Sequence, residues 1–158
     1  MNNILNKTII LFLIILLTSC SYKPIFIEKD YDFQIKEVLF AGEKDINKII
    51  ENKLKFIKQS DDKEKTNYTI EINSFKERNT VSKDSKGDPL KFKLSVKVEY
   101  KVINNNSVRI SSKIEKNSIY NNESDQFKLE QTEDIILENL AGILSDNIIS
   151  SIINLDDN

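Results

Sequence analysis

From Tyr31 onward the chain alternates. Tyr31, Phe33 and Ile35 are separated by Asp32, Gln34 and Lys36, the two-residue period of a half-buried strand. The phase then slips to Val38 and Phe40, which predicts a bulge or a strand end, and Ala41-Gly42 breaks the run. From Glu43 the period becomes helical. Ile46, Ile49, Ile50, Leu54 and Ile57 form one apolar stripe. Glu43 and Asp45 stand where the helix dipole favours acids, and Lys55 and Lys58 stand in the last turn. The polar stretch Gln59 to Thr66 reads as a loop.

A second strand begins with Tyr68, Ile70 and Ile72, alternating with Thr69, Glu71 and Asn73, and is expected to end near Phe75. Lys76 to Pro89 is polar and is expected to be a long loop, with Ser85-Lys86-Gly87-Asp88-Pro89 as its turn. The third strand has the cleanest pattern. Leu90, Phe92, Leu94, Val96, Val98, Tyr100 and Val102 occupy one face without interruption. Asn104-Asn105-Asn106 predicts a hairpin, since Asn tolerates positive φ. Val108, Ile110 and Ile114 continue into a fourth strand ending near Ile119. A last helix follows, with Ser124 as its expected N-cap and a start anywhere from Ser124 to Thr132. Its stripe is Ile136, Leu140, Ile143, Leu144, Ile148 and Ile152.

The expected order is therefore β-α-β-β-β-α. Each strand has one polar face and each helix one apolar stripe. These fit an α+β fold, a two-layer sandwich with a four-stranded, largely antiparallel sheet and both helices on one face. The opposite sheet face is left to water or to a partner.

The N-terminus has a different pattern. Lys7 precedes a nine-residue apolar run from Ile9 to Leu17, too short for a bilayer span of about 20 residues and suited to a signal-peptide core. It ends in Leu17-Thr18-Ser19-Cys20, which resembles the bacterial lipobox and contains the only cysteine. In that reading residues 1–19 are removed, Cys20 is diacylated, residues 20–30 form a tether and residues 31–158 one domain. Two or more acyl chains anchor stably where one does not. An Asp after the Cys would signal inner-membrane retention; Ser21 stands there and favours the outer membrane. The competing reading of Cys20 is a buried free thiol or an incidental residue.

Composition narrows the function. Without the leader the formal charge is 22 minus 25, or -3, against a broadly basic nucleic-acid binder. One cysteine allows no internal disulfide. The absence of histidine excludes Ser-His-Asp and Cys-His catalysis and His-based metal sites. With three glycines and no phosphate-cradling loop, no enzyme, metal or cofactor is expected. A hydrolase using only carboxylates is the alternative that a buried acid pair in a cleft would support.

The candidate contacts are basic. Lys91, Lys93, Lys97 and Lys101 share the polar face of the third strand with Glu99, and Arg109 and Lys113 that of the fourth with Glu115. Six cations against two acids on adjacent strands could bind an anionic headgroup, with Arg109 the best bidentate phosphate donor. They could equally form a solvated face that discourages edge pairing. The expected loop adds Arg78, Lys83 and Lys86, or else is a plain linker.

Together these features resemble the LptE family, the lipopolysaccharide-assembly lipoproteins of Gram-negative bacteria. The resemblance spans Cys20 to about Leu155. It includes the opening Tyr22-Lys23-Pro24-Ile25-Phe26, the long polar loop expected before strand three, and Ser118-Ile119-Tyr120-Asn121 ahead of a long terminal helix. It implies a plug inside the outer-membrane β-barrel protein LptD, assisting barrel assembly and delivery of lipopolysaccharide to the outer leaflet. The implied partners are LptD and lipopolysaccharide, at the periplasmic face of the outer membrane. Alternatives are an auxiliary lipoprotein of an ABC-type envelope lipid transporter and a structural envelope lipoprotein.

Overall fold

The computed structural model describes residues 31–55 and 65–156; Cys20, the expected leader and tether, Ile57 and Lys58 lie outside them. The elements are β1 (Phe33–Gly42), α1 (Lys44–Lys55), β2 (Thr66–Lys83), β3 (Pro89–Asn104), β4 (Ser107–Asn121) and α2 (Gln126–Asp156), in the expected order. The sheet runs β1-β2-β3-β4, with β1 parallel to β2 and the other pairs antiparallel. A parallel neighbour requires a crossover, and α1 supplies it. Both helices cover one sheet face. Phe33, Ile35, Ile70, Leu94, Val96 and Val98 meet Ile46, Ile50, Leu144, Ile148 and Ile152 there, all essentially inaccessible to water.

The phase slip in β1 is a bulge. The register shifts between Ile35 and Glu37, so Val38 and Phe40 pair with Ile70 and Ile72 and stay on the core side. β1 stops at Gly42, whose φ of +86° suits glycine. There the Glu43 amide donates to the Ser74 carbonyl at 3.2 Å, and the buried Ser74 hydroxyl donates to Asn47 Oδ1 at 2.7 Å. These bonds fix the strand-to-helix corner against β2.

The structure corrects the reading of Lys76 to Pro89. Most of it is strand: β2 continues to Lys83, opposite β3 at Lys76↔Val96, Arg78↔Leu94 and Thr80↔Phe92. Only Asp84 to Asp88 turns. Asp84 Oδ1 accepts the amides of Lys86 and Asp88, both at 2.8 Å, and Gly87 sits at φ +94°. The sequence hid the strand because β1 has already ended and residues 75–81 are exposed, so no apolar phase marks it. The β3 ladder holds it instead.

β3 matches its pattern from Phe92 to Val102, while Leu90 is half exposed beyond the core. Asn105 and Asn106, at φ 47° and 60°, make the two-residue turn into β4. α2 begins at Gln126 and is capped by Asp125 rather than Ser124. Asp125 Oδ1 accepts from the amides of Phe127 and Lys128 at 3.1 and 3.3 Å. Ile143, expected in the core stripe, is 46% exposed, while Leu137 and Ile149 are buried. Over its 31 residues the buried side of the helix therefore rotates. No single straight stripe describes it.

Candidate functional site

The sheet face away from the helices carries the candidate site. Two rows of side chains cross all four strands of it. One row is Leu39, Glu71, Lys101 and Ser111; the next is Ala41, Asn73, Glu99 and Lys113. Together they line a trough of about 590 Å³. Alternation along each strand turns these residues to the open face while Ile72 and Tyr100 between them face the core.

The trough neutralises its own charge. Glu99 Oε1 accepts Lys97 Nζ at 2.9 Å and lies 3.8 Å from Lys113 Nζ, while Glu71 Oε2 accepts Lys101 Nζ at 3.3 Å. The hydrogen bond to Glu99 raises the Lys97 ammonium above its ordinary pKa, and the same bond holds the Glu99 carboxyl below its own. Lys97 also lies over the Phe75 ring, 4.4 Å from its centroid. The stripe read from sequence is therefore interleaved with acids from β2 and β3 in its middle. Glu71 went unnoticed as a partner because only the strand register brings it beside Lys101.

The remaining basic candidates separate. Lys91 and Lys93 project from the same face nearer the β2–β3 turn, opposite Asn121 and Ile119, and make no ion pair among the described residues. Lys83 and Lys86 lie at that turn beside Asp84 and Asp88. Arg109 falls at the register shift between Val102 and Ile103, at the opposite end of the sheet. Ten residues of strand, from Lys91 to Lys101, span roughly 33 Å, so these cations do not form one patch.

Arg78 belongs elsewhere. It stands on the helix side, 4.9 Å over the Phe92 ring, with Nη1 2.8 Å from Glu133 Oε1 of α2. Tyr120 of β4 donates to the same oxygen at 2.6 Å. Burial, then Glu133, pushes the Tyr120 hydroxyl well above its ordinary pKa. Burial also pushes the Glu133 carboxyl up, but hydrogen bonds from Tyr120 and Arg78 outweigh it and hold the group below the usual carboxylate range. Three elements are tied here by one half-buried carboxylate. Glu133 carried no sequence signal, because a single acid on an amphipathic helix reads as solvated.

Among the described residues no group of acids and cysteines is arranged to hold a metal ion. No family model matches the chain. No curated protein matches it either. Solved structures do share its fold. Rare lipoprotein B from Shewanella oneidensis superposes with a TM-score of 0.56 at 15% identity, over 74% of this chain and 93% of that one. A minor lipoprotein from Acinetobacter baumannii gives 0.56 at 13% identity, over 77% and 93%. Lipoprotein B from Nitrosomonas europaea gives 0.58 at 15% identity, over 84% and 90%. The chain thus shares its fold with these bacterial lipoproteins.

Proposed function

We propose that this chain is an outer-membrane lipoprotein of the LptE type. It is anchored through Cys20 at the periplasmic face and seated against an LptD-like β-barrel, which it helps to assemble and to load with lipopolysaccharide. The observation that carries the reading is the conjunction of two independent features. A lipobox stands directly behind a signal-length apolar core. The domain after it shares its fold with structures described as rare, minor or B lipoproteins across about nine-tenths of their length.

The open sheet face is the contact surface in this proposal. It is mainly polar along β2, β3 and β4 and uncovered by either helix, so a partner can dock without displacing core. Lys91 and Lys93, unneutralised by any acid among the described residues, are its best contacts for a phosphorylated headgroup. The paired Lys97, Lys101 and Lys113 have less to offer an anion.

The test is recovery of the tagged full-length protein from membranes in mild detergent. A stoichiometric outer-membrane β-barrel partner supports the proposal. An inner-membrane permease complex would instead support the ABC-transporter reading, and no stoichiometric partner would leave a structural lipoprotein. Intact mass should show loss of residues 1–19 and added lipid at Cys20; a free thiol there contradicts the anchoring.

A further inference from the structure

We propose that the open-face trough is a carbohydrate subsite. It would take the hydroxylated, uncharged sugar portion of a glycolipid, while phosphate groups are held elsewhere on the same face. The inference rests on the glycolipid reading above for the source of the sugar; the preference for hydroxyls comes from the trough itself.

Charge is the first argument. With the adjoining pair Lys97 and Glu115 counted, Glu71, Glu99 and Glu115 balance Lys97, Lys101 and Lys113, so the trough has no net charge to attract an anion. An ionised phosphate placed there would sit beside two carboxylates.

Unused hydrogen-bonding capacity is the second. The lysines engage Glu99 at Oε1 and Glu71 at Oε2, leaving Glu99 Oε2 and Glu71 Oε1, on two residues that line the trough, as acceptors outside these ion pairs. The Asn73 amide and the Ser111 hydroxyl, in the same two rows, make no side-chain hydrogen bond among the described residues. A fully ionised phosphate has only acceptors and cannot satisfy the free carboxylate oxygens. A sugar hydroxyl both donates and accepts, and so complements carboxylate, amide and hydroxyl together.

Shape is the third. About 590 Å³ lies within the range of small-ligand sites and accommodates sugar rings rather than a single ion. Leu39 and Ala41 form an apolar wall at the β1 side, where the C–H face of a ring can rest. Lys91 and Lys93 lie further along β3, outside the trough, where phosphates attached to the same glycan can reach them.

The test is NMR titration of the protein with phosphate-free oligosaccharide released from the cells' own outer-membrane glycolipid, and separately with inorganic phosphate. The oligosaccharide should shift Asn73, Glu99 and Ser111, and Asn73→Ala or Ser111→Ala should weaken it about tenfold, the loss of one good hydrogen bond. Phosphate should leave the trough unmoved. No trough shifts at millimolar oligosaccharide, or equal shifts with phosphate, would overturn the inference. Intact glycolipid binding without oligosaccharide binding removes the subsite and leaves the proposed function standing. Oligosaccharide binding in a protein that recovers no barrel keeps the subsite and removes the proposed function.

Discussion

Tyr120 of β4 donates its phenolic proton to Glu133 of α2 at 2.6 Å, and Arg78 of β2 reaches the same oxygen at 2.8 Å. Sheet and helix, which meet mainly through apolar contact, are joined here by directional bonds to one carboxylate oxygen. Glu133→Ala should destabilise the fold by about 1–3 kcal/mol, the cost of leaving a buried donor unpartnered. Arg78→Ala should cost less, below about 1 kcal/mol, because 47% of the Arg78 side chain remains in water. Chemical denaturation of the two variants checks the order.

The same carboxylate gives a pH dependence with a defined sign. Glu133 titrates below the ordinary glutamate value in the folded protein, because Tyr120 and Arg78 bond its charged form. Its stabilisation is therefore complete above the unfolded carboxylate pKa, about 4.3, and is lost as pH falls through the lower folded value. The difference in unfolding midpoint between wild type and Glu133→Gln should be constant from pH 7 to about pH 5 and shrink below it. A difference that grew on acidification would contradict the assignment.

Gly42 and Gly87 both lie at positive φ but in different surroundings. A Cβ on Gly42 would collide with the Ser74 carbonyl, while one on Gly87 meets nothing within 4 Å. Gly87→Ala should cost only backbone strain, about 1 kcal/mol. Gly42→Ala should cost distinctly more and should loosen the β1–α1 corner first, seen as faster amide exchange at Glu43 and Asn47.

Side-chain alternation in β3 is checked by adjacent residues. Val98 is fully buried, so Val98→Asp should cost more than about 3 kcal/mol, as an unpaired buried charge does. Lys97→Ala, on the open face, should leave the melting temperature nearly unchanged. Equal effects would mean that the strand is turned over.

The sequence showed the core where apolar residues keep a steady period, as at Phe92 to Val102 and Ile46 to Leu54. It failed where tertiary geometry replaces period. The second half of β2 has no buried face and is strand only because β3 pairs with it. Ile143 fits a straight helical stripe, but the buried side of α2 rotates past it. The basic stripe was visible residue by residue, yet its neutralisation depends on Glu71 and Glu99 lying beside Lys101 and Lys113, which only register decides. Arg78 was visible as a cation and misplaced as a ligand contact for the same reason. Its partner, Glu133, lies 55 residues away.

The most direct measurement places a photo-crosslinking residue at Lys93, on the open face, in the full-length protein in living cells. A covalent adduct is expected whose partner, identified by mass spectrometry, is an outer-membrane β-barrel protein or its glycolipid cargo. The same substitution at Gln131, an exposed position on α2 away from that face, should give no cargo adduct. An adduct only with an inner-membrane permease component, or no adduct from Lys93 in a protein that still folds and is lipidated, would contradict it.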